Sequence, residues 1–391
     1  MDDVVAMSVN PDLDVFVGGD ASLARALALL SAGESMTDDL AMELLSLLGR
    51  PPEWSTNLLA ALHMCDFVVE RNSEWHLAPR VRRTLLISLT QNQHLSEQAH
   101  ALLLRLARES GSVVSVTEVP RYLTEGPGAA YHGAFLSRRE ALREYTAIAE
   151  APLTGQQWLA SHLASEQVDI GVLPGDAVEL LFLQGIIKYR ERKRREAEPI
   201  LRRVANTAER SREVAIAAHL VGRIDAKQFA RRKRGEMLLR RSLGILEELG
   251  DELGVAQVLH TLGQLVGRDR KRSDEAEALL RRSLEIEEGS GAEWGVAQVL
   301  HTLGQVVGRD GERCDEAEAL LRRSLDIGKR LDKANHEAQV LYSMSQVAGV
   351  STAQAESLLR QSLAVNRRIR NRSGERIVLA ALQRLGFGRD G

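Results

Sequence analysis

Apolar residues in the second half of the chain follow a helical spacing that returns every 41 residues. Segment 254–288 reads GVAQVLHTLGQLVGRDRKRSDEAEALLRRSLEIEE, and segment 295–329 repeats it with few changes. Each copy holds two amphipathic helices joined by a short polar loop, which is the pattern of a helical hairpin. The apolar and small positions are Leu259, Leu262, Gly263, Val266, Ala276, Leu280, Ser283 and Leu284. Because one hairpin leaves an apolar face uncovered until the next one stacks on it, the pattern predicts a stacked helical repeat.

The spacing Leu259-x2-Leu262-Gly263-x2-Val266, followed by Ala276-x3-Leu280, resembles the tetratricopeptide repeat, with aliphatic residues in place of aromatic ones. The period is longer than the roughly 34 residues of that family, and the additional residues fall mostly after the second helix. In this respect the chain is similar to the longer repeats of kinesin light chain. The resemblance implies a mainly α fold, a right-handed α-solenoid whose first helices line a concave surface.

Further copies extend the pattern on both sides. One begins at His336 with a shorter internal loop, one at Glu213, and a more divergent one near Gly175. In the divergent copy, three residues lie 38 positions before their counterparts: Leu181, Ala197 and Leu201 before His219, Gly235 and Leu239. A last helix over 376–385 is predicted to cover the open end. The expectation is therefore five hairpins and a cap.

The N-terminal part has a different pattern, with three short helices and the clearest strand signal of the chain. The predicted elements are helices at 22–31, 36–46 and 54–64, strands at 67–71 and 75–77, and a helix at 81–89. Thr37 is the expected N-cap of the second helix, with Asp38 and Asp39 in its first turn. Three helices and a β-hairpin are typical of a winged helix. With L-L-x-A-L and His-Leu-Ala-Pro-Arg-Val-Arg, this part resembles the winged-helix module of STAND signalling NTPases.

These patterns predict four regions. They are an N-terminal segment at 1–21, a winged-helix-like module at 22–90, a helical linker of divergent hairpins at 91–174, and tetratricopeptide-like repeats with their capping helix at 175–391. In STAND proteins a winged helix precedes helical repeats in the same order. The resemblance therefore implies a role in signalling, including bacterial conflict and antiphage defence.

Composition narrows the class of protein. Aromatic residues make up only 4% of the chain, which favours an all-helical solenoid over a β-sandwich or barrel. The two cysteines, Cys65 and Cys314, have no metal-binding or redox spacing. No apolar run reaches the roughly 20 residues needed to cross a bilayer, and the N-terminus lacks the basic start of a signal peptide. We therefore expect a cytoplasmic protein without a membrane partner.

The net charge of −3 conceals a difference between the ends of the chain. Residues 1–66 hold eleven acidic residues and two arginines, a net charge of about −9. The segment 53–66, which spans the third helix of the N-terminal module and its flanking residues, contains no lysine or arginine and carries an acid at each end. Because a recognition helix needs cationic and amide groups for phosphates and bases, we expect no nucleic acid partner there.

Sequence signatures of catalysis are absent. The chain has no G-x-x-x-x-G-K-[ST], and its one Gly-Lys pair, Gly328-Lys329, follows no glycine-rich loop. It also lacks HExxH, CxxC and G-x-S-x-G. His260 and His301 occupy one repeat position rather than forming a metal motif. We therefore predict a protein that is not an enzyme and holds no metal or cofactor, with any ATPase on a separate effector chain.

Polar residues between the apolar positions of the first helices recur at the same spacing and are predicted to face a binding groove. These candidate groove residues are Gln257, His260, Gln264, Gln298, His301, Gln305, Gln339, Tyr342 and Gln346. Amides and imidazoles donate to and accept from a peptide backbone, which suits an extended or helical segment of a protein partner. Recent duplication would also copy these residues without any function.

Two charged patterns accompany the repeats. Each second helix has Glu four residues before Arg, at 198 and 202, 236 and 240, 277 and 281, 318 and 322, and 356 and 360, which stabilises the helix. The loops before these helices carry basic residues that stacking would align into a basic ridge. Its candidates are Arg192, Arg194, Arg231, Arg232, Arg268, Arg270, Arg272 and Arg309. A solvated edge, a protein contact and a nucleic acid contact all fit this composition.

Together these features predict a non-catalytic sensor or adaptor. It would bind a protein segment in the repeat groove and pass that event to an effector or ATPase through the winged helix. The alternative is a winged-helix transcriptional regulator with a repeat sensor domain.

Overall fold

A computed structural model describes residues 16–71, 74–108, 127–150 and 156–387. The chain divides into two compact units, Met1–Val204 and Ala205–Gly391, and each is described here by itself. Apart from one β-hairpin, the regular structure of the described residues is helical. The predicted mainly α class is confirmed.

The first unit begins with three helices and the β-hairpin. Its elements are α1 (Ala21–Leu30), α2 (Asp38–Ser46), α3 (Pro52–Leu62), β1 (Val68–Arg71), β2 (Glu74–Leu77), α4 (Pro79–Gln91), α5 (Gln93–Arg108), α6 (Gly128–Ala134), α7 (Arg138–Glu150), α8 (Gln156–Asp169), α9 (Val178–Arg190) and α10 (Arg194–Ala205). The strands pair antiparallel, with Val68 opposite Leu77. Thr37 caps α2 as predicted, because its hydroxyl accepts from the backbone nitrogen of Leu40 at 3.3 Å.

The β-hairpin is attached to the helices through Trp75. Its backbone exchanges two hydrogen bonds with Met36, and its indole nitrogen donates to Asp38 at 2.9 Å. His63, just after α3, lies between Asp38 and Glu70, with 2.9 Å from each ring nitrogen to a carboxylate oxygen. Burial opposes protonation of His63, but the two carboxylates outweigh it and raise its pKa. The His63 ring therefore joins α2, α3 and β1 through its contacts with the two carboxylates.

A buried polar cluster connects α4 with the helices that follow. Arg82, 6% exposed, donates to the carbonyl of Gly33 at 2.8 Å and to the Tyr131 hydroxyl at 2.9 Å, and its guanidinium pairs with Glu166. The Tyr131 hydroxyl donates in turn to Glu166 at 2.8 Å. Removal of only one partner of such a buried pair is strongly destabilising, because the other charge then stays buried without compensation. The sequence gives no signal for this contact, since Arg82 and Glu166 are 84 positions apart.

The second unit is a stack of helical hairpins. Its elements are α11 (Arg212–Ala226), α12 (Arg232–Leu249), α13 (Glu252–Val266), α14 (Ser273–Gly289), α15 (Glu293–Val307), α16 (Cys314–Arg330), α17 (Ala334–Met344), α18 (Thr352–Arg368) and α19 (Arg372–Arg384). Each helix packs on the next one in sequence, as the predicted solenoid requires. The last helix begins at Arg372, four residues before the predicted start, because Asn371 caps it by accepting from the nitrogen of Gly374 at 3.1 Å.

Within a hairpin, a glycine of the first helix lies directly against a leucine of the second. A Cβ on Gly263 would be 2.6 Å from Cγ of Leu280, and one on Gly304 would be 2.7 Å from Cγ of Leu321. The divergent hairpin has the same contact between Gly185 and Leu201. The first helix of that hairpin is therefore 37 positions, not 38, before its counterpart at Gly222, so the sequence pairing of Leu181 with His219 was wrong by one residue.

A serine of each second helix is hydrogen bonded to the first helix of the same hairpin. The four bonds, 2.7 to 2.8 Å long, join Ser242 to the carbonyl of Ala215, Ser283 to Ala256, Ser324 to Ala297 and Ser362 to Ala338. All four serines are fully buried. Each carbonyl oxygen already accepts a hydrogen bond within its own helix. The serine hydroxyl therefore donates to the second lone pair of that oxygen. The bond fixes how far the two helices slide along each other.

Consecutive hairpins meet where a second helix ends and the next first helix begins. At three of these junctions one position is glycine and the position facing it is larger: Glu287 with Gly295, His336 with Gly328, and Asn366 with Gly374. A Cβ on Gly295 would be only 2.0 Å from Oε2 of Glu287. We call these three pairs the junction pairs. Each junction tolerates one large residue but not two.

Gly304→Ala is expected to lower the free energy of unfolding by about 1–3 kcal/mol, because the new methyl group overlaps Leu321 in a packed interface. Chemical denaturation monitored by circular dichroism measures this change. The matched control is Gly244→Ala in α12, where a Cβ meets only the end of Arg210 at 3.9 Å. That substitution should stabilise by roughly 0.5–1 kcal/mol, since alanine favours a helix interior. Equal effects of the two substitutions would contradict the close contact.

His63→Gln is expected to remove a pH dependence from the β-hairpin. A raised pKa means that protonated His63 stabilises the folded state below its unfolded pKa of about 6.5, and that this stability is lost as pH rises through the folded value. Hydrogen exchange at residues 68–71 and 74–77 should therefore quicken from pH 6 to 8, beyond the intrinsic effect of pH. His94→Gln, at an exposed position, is the control. Unchanged hairpin protection in His63→Gln would refute this role.

Candidate peptide-binding groove

The first predicted glutamine ladder lies on the outer face of three successive first helices. Gln257 on α13, Gln298 on α15 and Gln339 on α17 are all exposed. Within the described chain, none of their side-chain amides has a polar partner. Three amides that occur once per hairpin are therefore available to a bound chain.

The histidine ladder does not face the groove freely, which corrects the expected outward orientation. The Nε2 atoms of His219, His260 and His301 lie 2.9, 2.9 and 2.8 Å from hydroxyls of the next hairpin, those of Thr261, Thr302 and Ser343. Each hydroxyl also donates to a carbonyl in its own helix, as Thr302 does to Gln298 at 3.1 Å. The hydroxyl therefore accepts from the imidazole, whose neutral form carries its proton on Nε2. The histidines join neighbouring hairpins.

Burial keeps these histidines neutral. Desolvation, reinforced by Arg223, lowers the pKa of His260 to about 4. Burial also lowers the pKa of His219 to about 3, with Arg223 and His260 adding to the effect, and that of His301 to about 3, with contributions from His336 and His260. At neutral pH the groove therefore carries no charge from this ladder.

The second glutamine ladder is partly used in the same contacts. The amide nitrogen of Gln305 lies 2.8 Å from the hydroxyl of Ser343, and that of Gln264 lies 3.3 Å from Thr302. Gln346 donates to Ser345 at 2.9 Å. These side chains remain exposed at their ends but are held in position by the next hairpin. They form a preorganised edge rather than a free set of amides.

Three adjoining cavities lie along α15, α17, α18 and α19. Their volumes are about 460, 500 and 260 Å³. The first and second share Asn335 and Gln339, and the first and third share Gln305, Tyr342 and Ser343. Six of the nine predicted groove residues line them: Gln298, His301, Gln305, Gln339, Tyr342 and Gln346. The predicted ladder thus coincides with a real depression at the C-terminal hairpins.

Several lining residues were missed by the sequence interpretation. They are Asn335, Asn366, Asn371, Ser373, Trp294 and Lys333. Trp294 packs edge-on against His336 with ring centroids 5.0 Å apart, and the Lys333 ammonium lies 5.7 Å from the Trp294 ring. A signal was present for Asn366, which stands where earlier copies have Glu287 and Gly328. A residue of the last copy that differs from its counterparts in the repeat thus lines the cavity.

Half of the eight predicted ridge residues make polar contacts within the protein. Arg268 donates to the carbonyl of Ala226 at 2.8 Å, and Arg309 donates to that of Gly267, so both bridge successive hairpins. Arg272 lies 2.7 Å from Glu236 and 2.8 Å from Glu275. Arg231 lies 3.7 Å from Asp225.

The four remaining ridge candidates differ in their surroundings. Arg232 lies over the Phe229 ring at 5.2 Å, Arg192 has a positive φ of 64°, and Arg194 and Arg270 are exposed. The ridge is thus a mixed edge of paired and exposed cations. Its role in binding stays a prediction.

The predicted Glu–Arg pairs are present on all five second helices, with N–O distances of 2.6 to 2.9 Å. At two of them the pair joins a larger network. Arg240 also reaches Glu275 at 2.6 Å, and Arg281 also reaches Glu316 at 2.6 Å. Arg313 completes the second network by bridging Glu277 and Glu316. These networks connect successive second helices, a role beyond the helix support expected from the sequence.

No helix among the described residues is both long and apolar enough to span a bilayer.

His260→Gln/His301→Gln is expected to weaken the acid sensitivity of the repeats. A lowered pKa means that these histidines contribute stability above their unfolded pKa of about 6.5, and that it is lost as pH falls towards 3–4. From pH 7.5 to 5, the wild-type chain should lose on the order of 1 kcal/mol per histidine, and the double variant correspondingly less. Urea denaturation at several pH values tests this, with His94→Gln as control. An identical pH slope in the double variant would show that these histidines titrate normally.

No family model matches the chain, and no curated protein matches it. Among solved structures, it is similar to a circular tandem repeat protein with novel repeat topology and enhanced subunit contact surfaces, at 17% identity and a TM-score of 0.23. The match covers 93% of this chain and 82% of that chain.

Proposed function

We propose that this chain is a non-catalytic adaptor that binds a segment of another protein in the groove of its C-terminal hairpins. The observation that carries this proposal is the alignment of free amides with adjoining cavities: Gln298 and Gln339 both line the 500 Å³ cavity and have no polar partner within the described chain. Side-chain amides pair with a peptide backbone without demanding a charge. Stacked helical repeats characteristically present such extended binding surfaces.

The groove is rigid enough to select a ligand. His301 and Gln305 both donate to the hydroxyl of Ser343 on the next hairpin, each at 2.8 Å, so the side chains of the groove wall are ordered before any ligand arrives. Preorganisation reduces the entropy that binding costs. This supports recognition of a defined segment rather than nonspecific adhesion.

We further propose that the repeats are tetratricopeptide-like and that the N-terminal module is a winged helix that contacts an effector. The exposed residues of α3 are small or uncharged apart from Glu53, namely Thr56, Asn57, Ala60 and Ala61, and Met64 just beyond it is 85% exposed. Such a surface suits a protein contact better than a DNA phosphate backbone. A sensor role in STAND-like or antiphage signalling, with catalysis on a separate chain, extends the same proposal.

The test compares partner binding by the full chain and by Gln298→Ala/Gln339→Ala. Partners captured by the wild-type chain are identified by mass spectrometry, purified, and measured by titration calorimetry. We expect the double variant to lose at least tenfold in affinity at an unchanged melting temperature, because both amides are exposed and bear no structural contact. Gln383→Ala, at an exposed position on α19 outside the cavities, is the matched control.

Two results would overturn the adaptor. Partners that bind the double variant as tightly as wild type would place the interface elsewhere. Tight binding of duplex DNA that weakens steeply between low and high salt would favour the transcriptional regulator instead.

A further inference from the structure

Among the residues that the structure describes, no charged side chain lines the 460 Å³ cavity between α15, α17, α18 and α19. Its apolar walls come from Ala338, Ile377 and Val378, and its rim from amides and hydroxyls. Ile377 is 51% exposed, which is unusual for an isoleucine on the wall of a depression. This region differs from the neighbouring 500 Å³ cavity, which contains Asp332 and Lys333.

His301 does not introduce charge into this cavity. Its pKa is lowered to about 3, first by burial and then by the neighbouring His336 and His260. Its Nε2 atom faces Ser343 at 2.8 Å. At any pH above about 5 the ring is therefore a neutral part of the wall.

Two ion pairs join the helices that surround the cavity. Arg367 on α18 lies 3.1 Å from Glu375 on α19, and Arg368 lies 3.2 Å from Glu337 on α17. Neither pair belongs to the cavity lining. A ligand charge placed inside would thus meet no compensating charge among the lining residues.

A chain of asparagines fixes the rim. The amide nitrogen of Asn371 donates to Asn366 at 2.8 Å and to Asn335 at 3.1 Å, while its oxygen accepts from the backbone of Gly374. The Asn366 amide donates to the carbonyl of Ser362 at 2.9 Å. Both N–H groups of the Asn371 amide are thereby used. The amide nitrogen of Asn335 and the whole amide of Gln339 have no partner within the described chain and line the same opening.

We propose that this cavity is an anchor site that accepts one uncharged, apolar side chain of an extended partner segment, with the segment's backbone held by Asn335 and Gln339. The inference rests on the proposed function and adds the chemistry of the partner. A large aliphatic or aromatic side chain covers Ile377 and Val378 and gains the free energy of apolar burial. A charged side chain loses hydration and finds no counter-ion. We call this region the anchor cavity.

The test selects a phage-displayed library of random peptides on the full-length chain. We expect one peptide position at which uncharged apolar residues outnumber Asp, Glu, Lys and Arg at least tenfold. The selected peptides should bind Ser373→Trp, which places an indole over the opening, at least tenfold more weakly.

A charge reversal makes the test specific. Ile377→Asp should weaken the selected peptides at least tenfold and, on reselection, enrich Lys or Arg at the anchor position. Leu385→Asp is the matched control, because this residue is also partly exposed near the end of α19 but does not line the cavity. Circular dichroism confirms that each variant is folded; if Ile377→Asp is not, Ser373→Trp decides.

The outcomes separate the two proposals. Selected peptides that carry a charge at the position sensitive to Ser373→Trp would overturn the anchor cavity and leave the adaptor intact. Peptides that bind wild type and Ser373→Trp equally would also overturn it, since they bind elsewhere. Failure to select any peptide overturns the anchor cavity, whereas the adaptor is judged separately by the affinity of its purified partners for Gln298→Ala/Gln339→Ala.

Discussion

The whole second unit depends on an apolar face that no hairpin can cover by itself. Leu259, Leu262 and Val266 are buried only because further helices pack against them, and the same holds for their counterparts in each copy. Stability in such an array comes from interfaces between neighbours, so it is distributed along the chain rather than held in one centre. Every polar contact that crosses an interface therefore affects how closely adjacent hairpins fit together. The histidine–hydroxyl bonds form such contacts between first helices, and the Glu–Arg networks form them between second helices.

This dependence explains why the architecture was predictable while much of the site was not. Periodicity reports which positions are buried, because burial follows the helical repeat. It does not report what a polar side chain touches. Gln257 and His260 recur equally regularly in the sequence. The amide of Gln257 is nevertheless free, whereas the ring of His260 is bound to the next hairpin. Arg272 is similar: its position in a basic loop is visible in the sequence, but its two glutamate partners are not.

In the first unit, the local elements were predictable but the contact that joins them was not. The elements from 21 to 91 lie within a few residues of their predicted places, because capping residues and prolines mark helix starts. What holds them to the following helices is a buried arginine that meets a glutamate and a tyrosine from distant parts of the chain. Alternation and spacing contain no information on such a pairing. The cluster also places His100 and His132 side by side, 2.9 Å apart, in an environment whose burial and nearby Arg82 lower the pKa of His100 to about 3. Burial, reinforced by the nearby cation, therefore keeps His100 neutral.

The junction pairs make nearly identical copies non-interchangeable. Excision of residues 295–335, one full period, would leave every apolar stripe in register but bring Glu287 against His336, with no glycine to admit either side chain. Excision of 254–294 would instead bring Leu246 against Gly295, which preserves one large and one small residue. Loss of one repeat is therefore tolerated or obstructed according to which repeat is lost. Steric exclusion at the junction pairs, rather than the repeat motif itself, therefore preserves the order of the hairpins. It also preserves the position of the groove at one end of the array.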